Sequence, residues 1–219
     1  FGGLMPLGMI FLFKYAGMNI TPHAAIFLLG GNLTTAVVFG PTMMLINKIG
    51  WGKESHAFDY WAALPIAKLT LVLAFVSVSL IFALPGVLTV FLAGCALLGV
   101  SPAGGVWLIP LVPLGSLSLS GLGAFLGAYA KDAQAANSYS NVVMAVVIFL
   151  SPMMMPQEAM PLPLRLFSYL MPTTYVANSF RAVLAGQFGP GLGIDILLLT
   201  LFTAAFLFLV HRKLDWRAN

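Results

Sequence analysis

The chain has 219 residues, of which 60% are hydrophobic and 7% charged, and its mean hydropathy is +1.00. A soluble domain carries about 25% charged residues, so this composition excludes a large water-facing domain. The formal net charge of +4 does not point to nucleic acid, because the positives lie beside apolar runs, where they set membrane orientation.

Six apolar runs are predicted in chain order. The first, 1–13, starts at Phe1 without an initiator Met and lacks the charged leader of a signal peptide. A preceding segment is therefore expected to be missing, and a cytoplasmic N-terminus with it. Residues 14–23 form a loop in which Asn19-Ile20-Thr21 matches the glycosylation triplet, a pattern frequent by chance. The second run is 24–46, with Gly30, Gly31 and Pro41 inside it, and 47–68 is a polar interval. The third is 69–90 with a kink expected at Pro85. A Gly- and Pro-containing turn covers 93–105, the fourth run is 106–130, and 131–138 is a short polar loop. The fifth, 139–150, is short enough to need the residues from Ala133 onward. The sixth is 192–210, followed by a basic tail.

No charged residue occurs between Lys68 and Lys131, room enough for two crossings at about 20 residues each. The runs are continuous and do not alternate, which argues against an outer-membrane barrel. The expected fold class is all-α: a polytopic membrane protein with six transmembrane helices in a single domain over 1–219. Alternating crossings gather Lys48, Lys53, Lys68, Lys131, Arg212, Lys213 and Arg217 on one side and Lys14, Arg165 and Arg181 on the other. The first side is then cytoplasmic, together with the C-terminus.

Two intervals stand out. Over 53–64 the sequence KESHAFDYWAAL places Ala57, Phe58, Trp61 and Leu64 on one helical face, with Glu54 intruding at its first turn. This reads as an amphipathic helix of about three turns, ended by Pro65. It serves either as an interfacial anchor or as a docking helix whose Phe58, Tyr60 and Trp61 enter a partner's groove. The second interval is 151–191, apolar enough to enter a membrane but cut by Pro152, Pro156, Pro161, Pro163 and Pro172. Short helices over 163–170 and 173–188 are expected to dip into the outer face and return. In the latter, Val176, Phe180, Val183 and Leu184 form an apolar stripe, while Thr174, Asn178 and Arg181 recur at i, i+4 and i+7. That polar row either lines an exit path or holds the hairpin through hydrogen bonds. In the fourth run Gly123 and Gly127 form GxxxG, a close-packing surface that serves this chain or a second copy.

Other chemistry is not indicated. There is no phosphate-loop pattern, no HExxH or CxxC, and no close metal-ligand cluster. His23, His56 and His211 are far apart and read as ordinary interfacial residues. The lone Cys95 reads as a small packing residue. Runs three to five hold no carboxylate, which argues against an ion-coupled relay of the usual buried type.

The order of these parts resembles the membrane subunit of ABC-2-type ATP-binding-cassette exporters, especially the drug-resistance permease branch. The most specific portion runs from KDAQAANSYSN through FLSPMMMPQEAMPLPLRLFSYLMPTTYVANSFRAVL to the last run and its basic tail. The matching positions are Ser151, Pro152, Pro156, Pro161, Leu170, Pro172, Tyr175 and Arg181. KESHAFDYWAALPIAK resembles the family's loop between spans two and three. The resemblance implies a permease that pairs as a homodimer or heterodimer in the membrane. It implies two ATPase subunits that bind ATP and Mg2+, with no cofactor and no catalytic residue expected in this chain. Lys53, Glu54, Phe58, Tyr60, Trp61 and Leu64 would form the coupling helix, and Pro152, Pro156, Pro161, Pro172, Tyr175, Asn178 and Arg181 the outer re-entrant hairpin. Uncharged spans three to five suit a hydrophobic or amphipathic cargo, drug or lipid-like. Export of a polysaccharide or lipid-linked glycan, and a secondary transporter without an ATPase, are the alternatives.

Overall fold

The computed structural model describes residues 4–15, 20–57, 60, 68–151 and 156–213. Among them the regular structure is helical throughout, with no strand. Helix α1 is Leu4–Tyr15. Helix α2, Pro22–Val37, begins with proline at its first turn, where the missing N–H is no loss. The Thr21 hydroxyl caps it by accepting from the Ala24 N–H at 3.3 Å. A π-helical segment, Val38–Thr42, holds Pro41 and passes directly into α3, Met43–Glu54. Proline lacks an N–H and its ring crowds the carbonyl four residues back, and a widened turn relaxes that conflict without ending the helix.

The result is one 33-residue helix, Pro22–Glu54. At 1.5 Å per residue it is about 50 Å long, more than the ~30 Å hydrocarbon thickness, so it projects beyond the bilayer core. The expected end at Ile46 is thus corrected. Asn47 does not open a polar loop, because its amide donates to the Met43 carbonyl at 2.9 Å and to the Ser140 hydroxyl at 3.0 Å on a neighbouring helix.

Helix α4, Lys68–Leu98, runs without interruption through Pro85, whose carbonyl accepts from the Thr89 hydroxyl at 2.6 Å. It also continues beyond Val90, so the turn expected to open at 93 begins later. The helix stops at Gly99, which takes a φ of 69° and donates its N–H to the Cys95 carbonyl at 3.1 Å. Only glycine enters that region without strain. A 3-10 turn, Pro102–Trp107, leads into α5, Leu108–Tyr129. Helix α6, Ala133–Leu150, begins at the residue the short fifth run required, and Asp132 caps it by accepting from the Ala135 N–H at 2.7 Å. A 3-10 turn at Gln157–Ala159 precedes the short helices α7, Leu162–Ser168, and α8, Pro172–Leu184. Helix α9 is Pro190–Lys213.

Among the described residues, four helices are long and apolar enough to cross a membrane: Pro22–Glu54, Thr70–Leu98, Gly104–Tyr129 and Pro190–Val210. Helix α1, with 12 residues, and α6, whose first half carries Gln134, Asn137, Ser138, Ser140 and Asn141, are not among them. Helices α2 and α3 form the axis of the bundle. α2 packs on α4 and α8, α3 on α5 and α6, and α9 lies against α5 and α8. The largest cluster of buried side chains joins Leu29, Leu33 and Val37 of α2 to Leu111 and Leu119 of α5 and to Val176 and Phe180 of α8. Ile194, Leu197 and Leu201 of α9 and Ile81, Phe82, Leu88 and Leu92 of α4 are exposed, as expected of faces that meet lipid tails.

The GxxxG pair finds its partner inside the chain. A Cβ at Gly123 would stand 2.8 Å from the Thr42 carbonyl oxygen, and one at Gly127 would stand 3.0 Å from the Ile49 Cβ. Buried Ser116 and Ser120 continue the same face of α5 at i, i+4, i+7 and i+11. These small residues let α5 approach the axial helix closely.

Candidate functional site

At one end of the bundle, α3 delivers two adjacent charges to the turn between α5 and α6. The Lys53 ammonium donates to the carbonyl of Ala128 at 2.5 Å and to that of Ala130 at 2.8 Å. The first is among the last carbonyls of α5, which the helix itself leaves unpaired, and the second belongs to its C-cap residue. The Glu54 carboxylate accepts from the N–H of Ala133, the first residue of α6, at 3.0 Å. A cation therefore sits on the negative end of one helix dipole and an anion on the positive end of the next. One turn earlier, a Cβ at Gly50 would stand 3.0 Å from the Asp132 carbonyl, so α3 presses closely on the start of α6.

This arrangement revises the expected amphipathic helix at its start. Lys53 and Glu54 belong to the end of α3 and turn inward onto the α5–α6 connection. The chain then bends at Ser55–His56, with His56 at a φ of 54°. Tyr60 is helical and 68% exposed. Phe58, Trp61, Leu64 and Pro65 lie outside the described residues.

At the other end stands the proline-rich interval. Pro156 precedes the 3-10 turn, Pro161 precedes α7, and Pro172 opens α8. The prolines start helices, where the absent N–H has no bond to lose. Pro152 lies outside the described residues. The two short helices are tied end to start: the Thr174 hydroxyl donates to the Ser168 carbonyl at 2.5 Å, and the Tyr175 hydroxyl to the Tyr169 carbonyl at 2.6 Å. Burial, then the Asp195 carboxylate and the Tyr169 phenol, push the Tyr175 hydroxyl above its ordinary pKa, which keeps it a donor. Helix α7 exposes Leu162, Leu166 and Phe167, whereas α8 buries Val176, Phe180, Val183 and Leu184, the expected apolar stripe. Helix α8 is thus wedged between α2, α5, α9 and the 3-10 turn at Pro102–Trp107. Gly104 admits the Val183 carbonyl at that turn, where a side chain would collide.

Arg181 belongs to this wedge. Its Nε donates to the Phe27 carbonyl at 3.3 Å, and its guanidinium carbon lies 3.6 Å from the Phe27 ring centroid. Gly30 makes room for its stem, since a Cβ there would be 2.5 Å from the Arg181 Cγ. Of the polar row expected on this helix, Thr174 and Arg181 both hold neighbouring backbone, while Asn178 and Arg181 face a cavity of about 350 Å³ between α2, α8 and α9. His23, Gln187 and Asp195 line the same cavity. No motif or spacing points to Asp195, and His23 reads from its place in the chain as interfacial. The available signal was a carboxylate standing alone in the last apolar run, since an ionisable residue in such a run marks a functional position by default. Among the described residues no group of three or more metal-ligating side chains converges.

The family described as ABC-2 family transporter protein matches residues 6–211 of the chain. No curated protein matches it.

Proposed function

Since the chain belongs to the ABC-2 family of transporter proteins, we propose that it is the permease of an ATP-driven exporter for a hydrophobic or amphipathic, drug- or lipid-like cargo. It is a multi-pass membrane protein and a transport subunit, not itself catalytic. ABC-2 permeases work with an ABC ATPase, and here two ATPase subunits supply the energy to a pair of permeases, drawing ATP and Mg2+ into their own sites. The proposed topology has six spans: α1, α2–α3, α4, α5, α6 and α9. The basic end, with the segment after Glu54 and the C-terminus, faces the cytoplasm, and α7–α8 form an outer re-entrant gate. Within the family, the proposed assignment is to the drug-resistance permease branch.

The observation that carries this reading is the contrast between the two ends of the bundle. One end bears a charged clamp, and the other a buried wedge helix whose Thr174 and Arg181 side chains donate to backbone carbonyls. Such a bundle can receive force at one end and open at the other. The test is co-purification of the complex from native membranes. Wild type should retain an ATPase bearing a phosphate loop, and the Phe58→Asp, Trp61→Asp variant should lose it or hydrolyse ATP without transport. Full ATPase binding and transport by that variant would refute the docking role.

A further inference from the structure

The cavity between α2, α8 and α9 carries charges of both signs, and this decides what can enter it. We propose that it binds the headgroup of a zwitterionic amphiphile, an anionic phosphate beside a cationic amine, while the tails stay outside against α9. The proposal rests on the lipid-like cargo inferred above.

The cavity measures about 350 Å³, at the small end of the range for ligand pockets. It suits a headgroup better than a whole lipid. Arg181 on one wall presents the planar guanidinium that pairs with phosphate oxygens. Its orientation is set by the Phe27 ring and carbonyl. Asp195 on α9 supplies the opposite charge. Among the described residues its carboxylate has no hydrogen-bond or ion-pair partner. A bare anion in this space meets the Asp195 carboxylate, and a bare cation meets Arg181, so each alone brings a like charge against one wall. A ligand with both charges satisfies both walls, and Asn178 and His23 add polar contacts around it.

The surroundings favour tails. Leu192 lies in the cavity wall, and α9 exposes Ile194, Leu197 and Leu201 on the side of the helix turned away from Leu192. Glycines 189 and 191 reduce the rim, and a Cβ at either would meet nothing within 4 Å. A chain leaving the cavity past Gly191 reaches that apolar surface by turning around α9.

The test uses purified full-length protein in detergent and three probes: phosphatidylethanolamine, phosphatidic acid and free phosphoethanolamine. Retention is read by native mass spectrometry, and melting confirms that each variant is folded. Wild type should retain phosphatidylethanolamine at least tenfold better than phosphatidic acid, and better than free phosphoethanolamine. Asp195→Asn, nearly isosteric, should abolish the preference for the amine-bearing lipid while keeping the fold. Arg181→Gln should weaken both lipids. Equal retention of the two lipids by wild type, or an undiminished preference in Asp195→Asn, overturns the proposal. Free phosphoethanolamine binding as well as the lipid overturns the role of the tails. Because no ATPase takes part, failure here leaves the co-purification test of the permease reading untouched.

Discussion

Replacing Lys53 with Met removes one ammonium and two hydrogen bonds while keeping most of the side-chain volume. The lost bonds run to the Ala128 and Ala130 carbonyls at 2.5 and 2.8 Å. A hydrogen bond to a charged group contributes about 1.5–3 kcal/mol. Here one half-buried ammonium serves both acceptors, and water can re-solvate carbonyls at a helix end. The helix-dipole contribution is about 0.3–1 kcal/mol at such a position. Together these give a loss of about 2 kcal/mol, or about 30-fold in the folded ratio. For a chain of this size that corresponds to a melting shift of about 4–8 °C. The assay is thermal unfolding in detergent followed by tryptophan fluorescence, with Trp51 two residues from the substitution. Lys53→Arg should restore most of the loss, because the cation is kept. Glu54→Gln should cost less than Lys53→Met, because its amide oxygen can still accept from the Ala133 N–H and only the charge is lost. If Lys53→Met melts with wild type while Glu54→Gln does not, the ammonium does not clamp the α5–α6 connection.

Three further outcomes follow from local geometry. Gly104→Ala drives a methyl into the Val183 backbone and should destabilise by about 1–3 kcal/mol, whereas Gly193→Ala, in open helical space, should be neutral or stabilising by up to about 1 kcal/mol; paired melting curves check both. Thr174→Val removes the 2.5 Å bond to Ser168 and should cost about 1–3 kcal/mol, seen as faster proteolysis between α7 and α8. Asp132→Ala removes the cap of α6 and should cost about 1 kcal/mol, read as faster amide exchange at Ala135 in particular.

Much of the fold was legible because hydropathy and proline act locally. The uncharged stretch from Leu69 to Ala130 requires helices whatever they pack against, since backbone groups in hydrocarbon must bond within their own segment. Pro156, Pro161 and Pro172 cut the following interval for an equally local reason. Element ends were less legible, because neighbours settled them. Asn47 reads as a loop residue until Ser140 of α6 meets its amide. The run beyond Val90 looked like a turn for its glycine at 94, yet that glycine is helical and lies against the Leu29 side chain.

The candidate sites divide in the same way. Thr174, Asn178 and Arg181 were found by helical spacing, which sequence carries directly. Which of them holds backbone and which faces a cavity depended on α2 and α9, distant in the chain and adjacent in space. Lys53 and Glu54 show the limit most clearly. Their charges suited a docking helix, but their partners lie more than seventy residues away, at 128, 130 and 133.

By itself, then, the sequence determined that this protein is a helical membrane protein, and where most helices begin, because the bilayer demands length and apolarity of each segment separately. Only the tertiary structure decided that GxxxG packs within the chain, that Lys53 and Glu54 clamp the α5–α6 connection, and that Arg181 and Asp195 share one cavity. Those outcomes depend on which dipole ends, small surfaces and lone charges meet, and that is a property of packing between segments.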